Sequence, residues 1–385
     1  MHDFGIYIHW PFCIKKCPYC DFNSYQNQNY VANDWLIAYT NQIEFFSNFF
    51  YKNNINNKKL SSIFFGGGTP SLMDPIITEK IIEKAYKVFS FDKNVEITLE
   101  ANPSSLEFKN IKDFKRAGVN RVSLGVQALN DTDLNFLGRV HNFHDVEKTL
   151  NLVLKTFNNS SVDLIYGLPK QKLSLWENQL NAFLKKFDVQ HVSAYQLTVE
   201  KGTKFYDLEK KKKIRFLTND KSLKFYTSTK NILTSHKLSQ YEISNFSKTN
   251  HKSVHNNLYW KSENWIGLGP GAISRLWKSN HQRLEFENYK KPSSWLKNSL
   301  SKNQSFKNFY QLENNILNDE ILMMGLRLVD GIETKKIQNK HFMSSTVFKD
   351  LLEKKIIHLK DDHIFVDGNY LIKLNTILKK FMSNY

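Results

Sequence analysis

The stretch GIYIHWPFCIKKCPYC, residues 5–20, decides how the rest of the chain is read. Its first six residues, rich in isoleucine and aromatic side chains, read as a strand, Gly5–Trp10, running straight into a loop that holds Cys13, Cys17 and Cys20. Those three are all the cysteines of the 385-residue chain. An odd number packed so tightly is not a disulfide framework, so the loop reads as a metal site. Cys-x3-Cys-x2-Cys is one ligand short of tetrahedral zinc, for which His9 is the nearest fourth candidate. Cubane iron–sulfur clusters are thiolate sites, normally with four cysteines. Three cysteines in one loop and none elsewhere would leave one iron open to a small molecule.

Outward from this loop, apolar strands alternate with amphipathic helices. Strands are predicted at Leu60–Phe65, Val95–Leu99, Arg121–Val126, Val162–Tyr166 and His191–Thr198, with helices at Pro75–Phe89, Asn110–Ala117, Val146–Phe157 and Leu175–Phe187. Such alternation implies a parallel sheet with right-handed crossovers. The chemistry-bearing segments follow the strands: the cysteine loop, Gly66-Gly67-Gly68-Thr69-Pro70, Glu100–Pro103, Gln127 and Gly167–Pro169. That placement predicts an α/β fold, a partial (β/α)6 barrel with its site at the C-terminal strand ends.

Beyond residue 200 the texture changes. Glu200–Arg215 reads as a charged connection, Leu223–Leu233 as a helix, and Tyr241–Arg275 as a long site-covering segment rather than a hairpin. From about residue 282 a small helical, winged-helix-like domain is predicted. It has a helix at Asn318–Leu328 capped by Asn318, another at Phe348–Lys354, a hairpin within Ile356–Val366 and a closing helix at Tyr370–Phe381. The expected domains are therefore 1–240, 241–281 and 282–385.

Composition narrows the function classes. An apolar fraction of 41% with 24% charged residues excludes a disordered or fibrous chain. No apolar run reaches the length of a membrane helix and no secretory signal is evident, so the expected location is cytoplasmic. The 54 Lys+Arg against 37 Asp+Glu give +17, but the lysines are scattered among Asn and Ile. They read as compositional drift, and no specific nucleic-acid partner is expected.

The cysteine loop resembles the signature of the radical S-adenosylmethionine (SAM) superfamily, and Gly66–Pro70 resembles that family's glycine motif. The resemblance implies a [4Fe–4S] cluster on Cys13, Cys17 and Cys20, with SAM on the open iron, cleaved to a 5′-deoxyadenosyl radical on electron transfer. It narrows to the branch of oxygen-independent coproporphyrinogen III dehydrogenase (HemN) and the heme chaperones (HemW), and covers nearly the whole chain. By residue-wise similarity Tyr7, Tyr19, Gly67, Gly68, Thr69, Glu100, Gln127, Arg139 and Asp163 are SAM-contacting positions, with Thr198 and Ile273 aligning less closely.

Two departures point away from the dehydrogenase. Phe22 stands where that enzyme has a fourth cysteine, and only twelve residues precede Cys13, with none of the dehydrogenase's N-terminal extension. The run His255-Asn256-Asn257-Leu258-Tyr259-Trp260 matches the HNxxYW motif of the heme-chaperone subgroup. It implies heme as a ligand, with His255 as its axial ligand or a neighbour of it and flat faces on Tyr259 and Trp260. No Cys-x-x-Cys-His is present, which excludes thioether attachment of the cytochrome c type. The expected function is a heme chaperone that passes heme to an unidentified acceptor protein, with coproporphyrinogen oxidative decarboxylation as the alternative.

Overall fold

The computed structural model describes residues 3–26, 29–55, 58–279, 281–301, 306–339 and 341–382. Six parallel strands lie side by side in chain order: β1 (Phe4–Trp10), β2 (Leu60–Gly67), β3 (Phe91–Ala101), β4 (Arg121–Gln127), β5 (Asn159–Tyr166) and β6 (His191–Gln196). Crossover helices at Ala32–Lys52, Pro75–Val88, Ser105–Arg116, Phe143–Thr156 and Leu173–Lys186 connect them. The expected partial (β/α)6 barrel is what the chain forms.

Side-chain alternation explains the curvature of chemistry around this sheet. Ile6, Ile8 and Trp10, Ile63 and Phe65, Ile97 and Leu99, Val122 and Leu124, and Val162 and Leu164 join the main apolar core. Their alternates, among them His9, Ser62, Glu96, Glu100, Ser123, Ser161 and Asp163, are polar and fall on the opposite face by the period of two. One face packs on helices; the other lines an interior.

The sheet continues past the barrel at both ends. β7 (Asn245–Ser247) pairs antiparallel with β6, and β8 (Asn264–Leu268) lies parallel to β1. β9 (Ile273–Ser279), β10 (Gln282–Asn288) and β11 (Phe306–Gln311) follow as an antiparallel meander, and with the two-residue strand Ser239–Gln240 paired to β7 the described sheet has twelve strands.

Several expectations are corrected. Tyr241–Arg275 is not an irregular cover: it supplies β7, a helix at Val254–Trp260, β8 and the start of the β9–β10 hairpin. The connection Glu200–Arg215 contains a helix, Lys204–Lys210, capped by the Thr203 side chain. The longest helix, Ala32–Lys52, has no counterpart in the sequence reading, although its buried Trp35, Ala38, Tyr39, Gln42, Ile43, Phe46 and Phe50 keep helical spacing. Exposed Phe45 and Tyr51 blur that stripe.

The C-terminal unit has its own core, running from Leu312 to Phe381. Helices Asn314–Gly325, Thr346–Glu353 and Leu374–Met382 pack with a three-stranded sheet of Ile332–Glu333, Ile357–Lys360 and His363–Val366, close to the expected winged-helix-like pattern. Asn318 does not cap the first of these helices; it lies inside it, buried, accepting from the Asn339 amide at 3.2 Å. Leu284, Phe286, Trp295 and Phe306 pack into the barrel's core, whereas the residues from Leu312 onward share the second core.

A buried ion-pair network joins the two units. Glu320, on helix Asn314–Gly325, meets Arg275 Nε at 2.8 Å and Arg283 Nη1 at 2.9 Å. Arg283 is fully buried between Trp265 and Trp277, and desolvation lowers its pKa to about 10. Removing one partner of such a network leaves buried charge uncompensated. Glu320→Ala should therefore destabilise the protein by about 3–5 kcal/mol, read as a lower urea midpoint, with Glu320→Gln losing less.

Candidate functional site

A cavity of 1040 Å³ opens at the C-terminal ends of the barrel strands and brings Cys13, Cys17 and Cys20 together with Tyr19, Gly67, Gly68, Thr69, Glu100, Gln127, Arg139 and Asp163. Thr198 also lines it. The cysteine loop is held there by β2. The Gly68 amide donates to Trp10 O at 2.6 Å and the Thr69 amide to Phe12 O at 2.9 Å. A Cβ on Gly68 would stand 2.7 Å from Phe12 O and 2.9 Å from the Pro11 carbonyl carbon. Gly67 has φ +109, and a Cβ there would meet the His9 ring at 2.5 Å. The glycines are thus explained first by the close approach of β2 to the cysteine loop, which leaves Gly67 and Gly68 on the cavity wall.

All three thiols are free. Burial pushes the Cys13 and Cys20 thiols up, opposed at both by hydrogen bonding from Ser24 and at Cys13 also from Thr69. The Cys20 sulfur lies 3.8 Å from Ser24 Oγ. Cys17 accepts from Arg139 Nη1 at 3.4 Å. Thiols become ligands by releasing their protons to solvent as the metal binds sulfur, and a guanidinium beside one sulfur offsets the resulting charge. Among the described residues no three His, Cys, Asp or Glu side chains are disposed to hold a single metal ion. His9 is also unavailable to zinc: Nε2 donates to Asn23 O at 3.0 Å, so Nδ1 accepts from Tyr7 OH at 2.9 Å. The donor set suits a multi-iron thiolate cluster better than a lone ion.

Arg139 organises the polar wall. Besides Cys17 it donates to Tyr19 OH at 3.4 Å, to Gly125 O at 3.4 Å and to the Asn102 side chain. Asn102 in turn donates to Thr69 Oγ1 at 3.3 Å. Asn102 belongs to no motif of its own; its sequence signal is its place in the Glu100–Pro103 loop at the end of β3. Glu100 accepts from the Gly67 amide at 3.1 Å. Burial, with the Asp163 carboxylate nearby, raises its pKa to about 8. Asp163 is also raised by burial, while Ser123, Ser161 and Ser193 and the Arg121 charge oppose the shift. Gln127 takes the left-handed conformation, φ 67, at the end of β4. The wall therefore offers one fixed cation, two buried carboxyl groups and several hydroxyl and amide partners.

Three sequence-derived positions fall elsewhere. Tyr7 is absent from the cavity wall; its hydroxyl is spent on His9, beneath the mouth. Ile273 lies on β9, paired with Glu287. His255 is 1% exposed, with Nδ1 at 2.8 Å from Ser62 Oγ, Nε2 at 2.7 Å from Tyr259 OH and its ring stacked on Phe64 at 5.0 Å. Burial holds its pKa down at about 3. Its helix is anchored by Glu96, which accepts from the Ser253 hydroxyl and from the amides of Val254 and His255. Both His255 nitrogens are thus engaged in hydrogen bonds, and the ring lies outside the cavity wall, where it helps lock the barrel floor.

A partial barrel of six parallel strands with a three-thiol loop after the first is the fold of a radical SAM protein, and the Radical SAM superfamily model matches residues 7–178. The chain is 35% identical to the mitochondrial radical S-adenosyl methionine domain-containing protein 1 of Dictyostelium discoideum, across 98% of this chain and 94% of that one. It is 31% identical to the heme chaperone HemW of Bacillus subtilis (strain 168), across 98% of both. The solved structure of HemN, the coproporphyrinogen III oxidase of Escherichia coli, superposes with a TM-score of 0.79 at 18% identity, covering 100% of this chain and 91% of that one. The chain belongs to the radical SAM superfamily, in its HemN-like branch and the HemW subgroup.

Two outcomes check this site. Gly68→Ala should displace the cysteine loop and lower cluster loading, measured as iron and sulfide per chain after anaerobic reconstitution. The second concerns Glu100, whose carboxyl ionises near 4.5 unfolded and near 8 folded. Within that window the folded state binds the extra proton, so stability falls as pH rises. Glu100→Gln should flatten this loss in the metal-free protein, seen in urea midpoints measured between pH 5 and pH 8.

Proposed function

We propose that the chain is a heme chaperone: it binds heme, carries a SAM-liganded [4Fe–4S] cluster and passes heme to an acceptor protein. The observation that carries this reading is full-length similarity to HemW proteins combined with a three-thiol loop on a ligand-sized cavity. Cys13, Cys17 and Cys20 would hold the cluster. Arg139 suits the SAM carboxylate, and Glu100 and Asp163 suit ribose hydroxyls. At neutral pH Glu100 is largely protonated, so it would donate as well as accept. Tyr19, Gly67, Gly68, Thr69 and Gln127 complete the SAM pocket, while Tyr7 acts one layer lower by fixing the His9 tautomer. Held by the three thiolates, a reduced cluster would supply the electron for SAM cleavage.

The position of Phe22 favours the chaperone over coproporphyrinogen oxidative decarboxylation. Phe22 is 56% exposed and lines the cavity mouth where the dehydrogenase has its fourth cysteine. Three unpaired thiols accord with a reducing compartment such as the cytoplasm, and among the described residues no helix is long and apolar enough to cross a membrane.

Anaerobically reconstituted protein should retain added heme through desalting and show a Soret band. It should not convert coproporphyrinogen III when given SAM and reductant. Loss of heme on desalting, or formation of protoporphyrinogen, would overturn the assignment.

A further inference from the structure

The HNNLYW motif splits between two tasks in this fold. His255 and Tyr259 lock the floor, whereas Trp260 faces the C-terminal unit, where the Arg327 guanidinium lies over its ring at 4.6 Å. Arg327 follows helix Asn314–Gly325 and reaches back to the buried Glu242, with Nη2 3.1 Å from Oε2. Glu242 is fixed in turn by the Ser244 amide at 2.9 Å and the Asn245 side chain. Arg327 also lines the 1040 Å³ cavity. Its side chain keeps 28% exposure, and among the described residues its Nε meets no hydrogen-bond partner.

This wall differs from the cysteine side. It is built by Tyr226, Ile243, Leu371, Ile372 and Leu374, beside the β6 edge, with Lys373 as a second cation. A planar fork held by a carboxylate on one edge and an indole on its face is pre-organised for a second carboxylate. An aliphatic wall with one aromatic face, Tyr226, around two cations matches an amphiphilic macrocycle bearing two carboxylates. The cavity lies at the upper end of the volume one bound molecule needs, leaving room for a ligand beside SAM.

Resting on the chaperone reading, we propose that Arg327 binds a propionate of the tetrapyrrole, that Lys373 receives the other, and that Trp260 is the positioning residue for Arg327. The motif then serves heme through its tryptophan and this arginine rather than through its histidine.

The test titrates reconstituted full-length protein with heme and with heme dimethyl ester, whose carboxylates are blocked, following the Soret band. Wild type should bind the diacid at least about tenfold more tightly than the diester, and Arg327→Gln should lose about ten- to a hundredfold on the diacid, the range for a hydrogen bond to a charged group, with the diester unchanged. Trp260→Leu should lose less, with the same dependence on free carboxylates. Arg327→Lys keeps a counter-charge for Glu242 while removing the fork, and serves if the glutamine variant does not fold; it should fall between wild type and Arg327→Gln. Equal binding of diacid and diester by wild type, or wild-type diacid affinity in a folded Arg327 variant, overturns the proposal alone. A wild-type protein with an intact cluster that binds neither compound overturns the chaperone reading with it.

Discussion

The close seating of Gly67–Thr69 against Trp10–Phe12 is the constraint on which the rest of the site depends. Two backbone hydrogen bonds, from Gly68 to Trp10 and from Thr69 to Phe12, hold the cysteine loop over the end of the sheet. They form only because position 68 has no Cβ to meet the Phe12 carbonyl. With that loop fixed, Arg139 reaches Cys17, and Asn102 ties Arg139 to Thr69. The thiols, the fixed cation and the glycine turn are therefore one hydrogen-bonded unit rather than three separate motifs.

Below this unit the barrel interior is polar, which is costly unless every group is partnered. Glu96 gathers three donors from the start of the 254–260 helix and lies 3.8 Å from the Arg121 guanidinium. Ser161 and Tyr241 satisfy His191, as Ser62 and Tyr259 satisfy His255. Both histidines are kept neutral by burial. The floor is a buried polar plug, whereas Arg139, Glu100, Gln127 and Asp163 line the cavity above it.

The C-terminal unit is more than an appended module. Glu320 joins Arg275 and Arg283 on the extended sheet, Arg327 covers Trp260, and Leu371–Thr376 form part of the cavity wall. Any ligand entering on the β6 side meets side chains from both units. The small unit is docked through buried charge, and losing one partner of that network would leave the others uncompensated.

Much of this was legible in the order of residues. Strand alternation, the three cysteines and the glycine turn are local signals, because strand period, ligand type and absent side chains are written within a few positions. They were enough for the barrel and the cysteine loop, while the positions that family resemblance marked for SAM were not written in any local pattern, though most of them line the cavity. The helix Ala32–Lys52 was legible too, in its buried spacing, but its exposed aromatics masked the stripe. What no local pattern contained was which way a side chain faces once distant segments meet. His255 reads as a free imidazole beside two aromatics until Ser62, 193 positions away, and Glu96 close around it. Arg327 reads as an ordinary surface cation until folding lays it on Trp260. Availability of a nitrogen or a guanidinium depends on partners supplied by remote parts of the chain, so the sequence determined the chemistry present and the tertiary structure decided which groups remain free to use it.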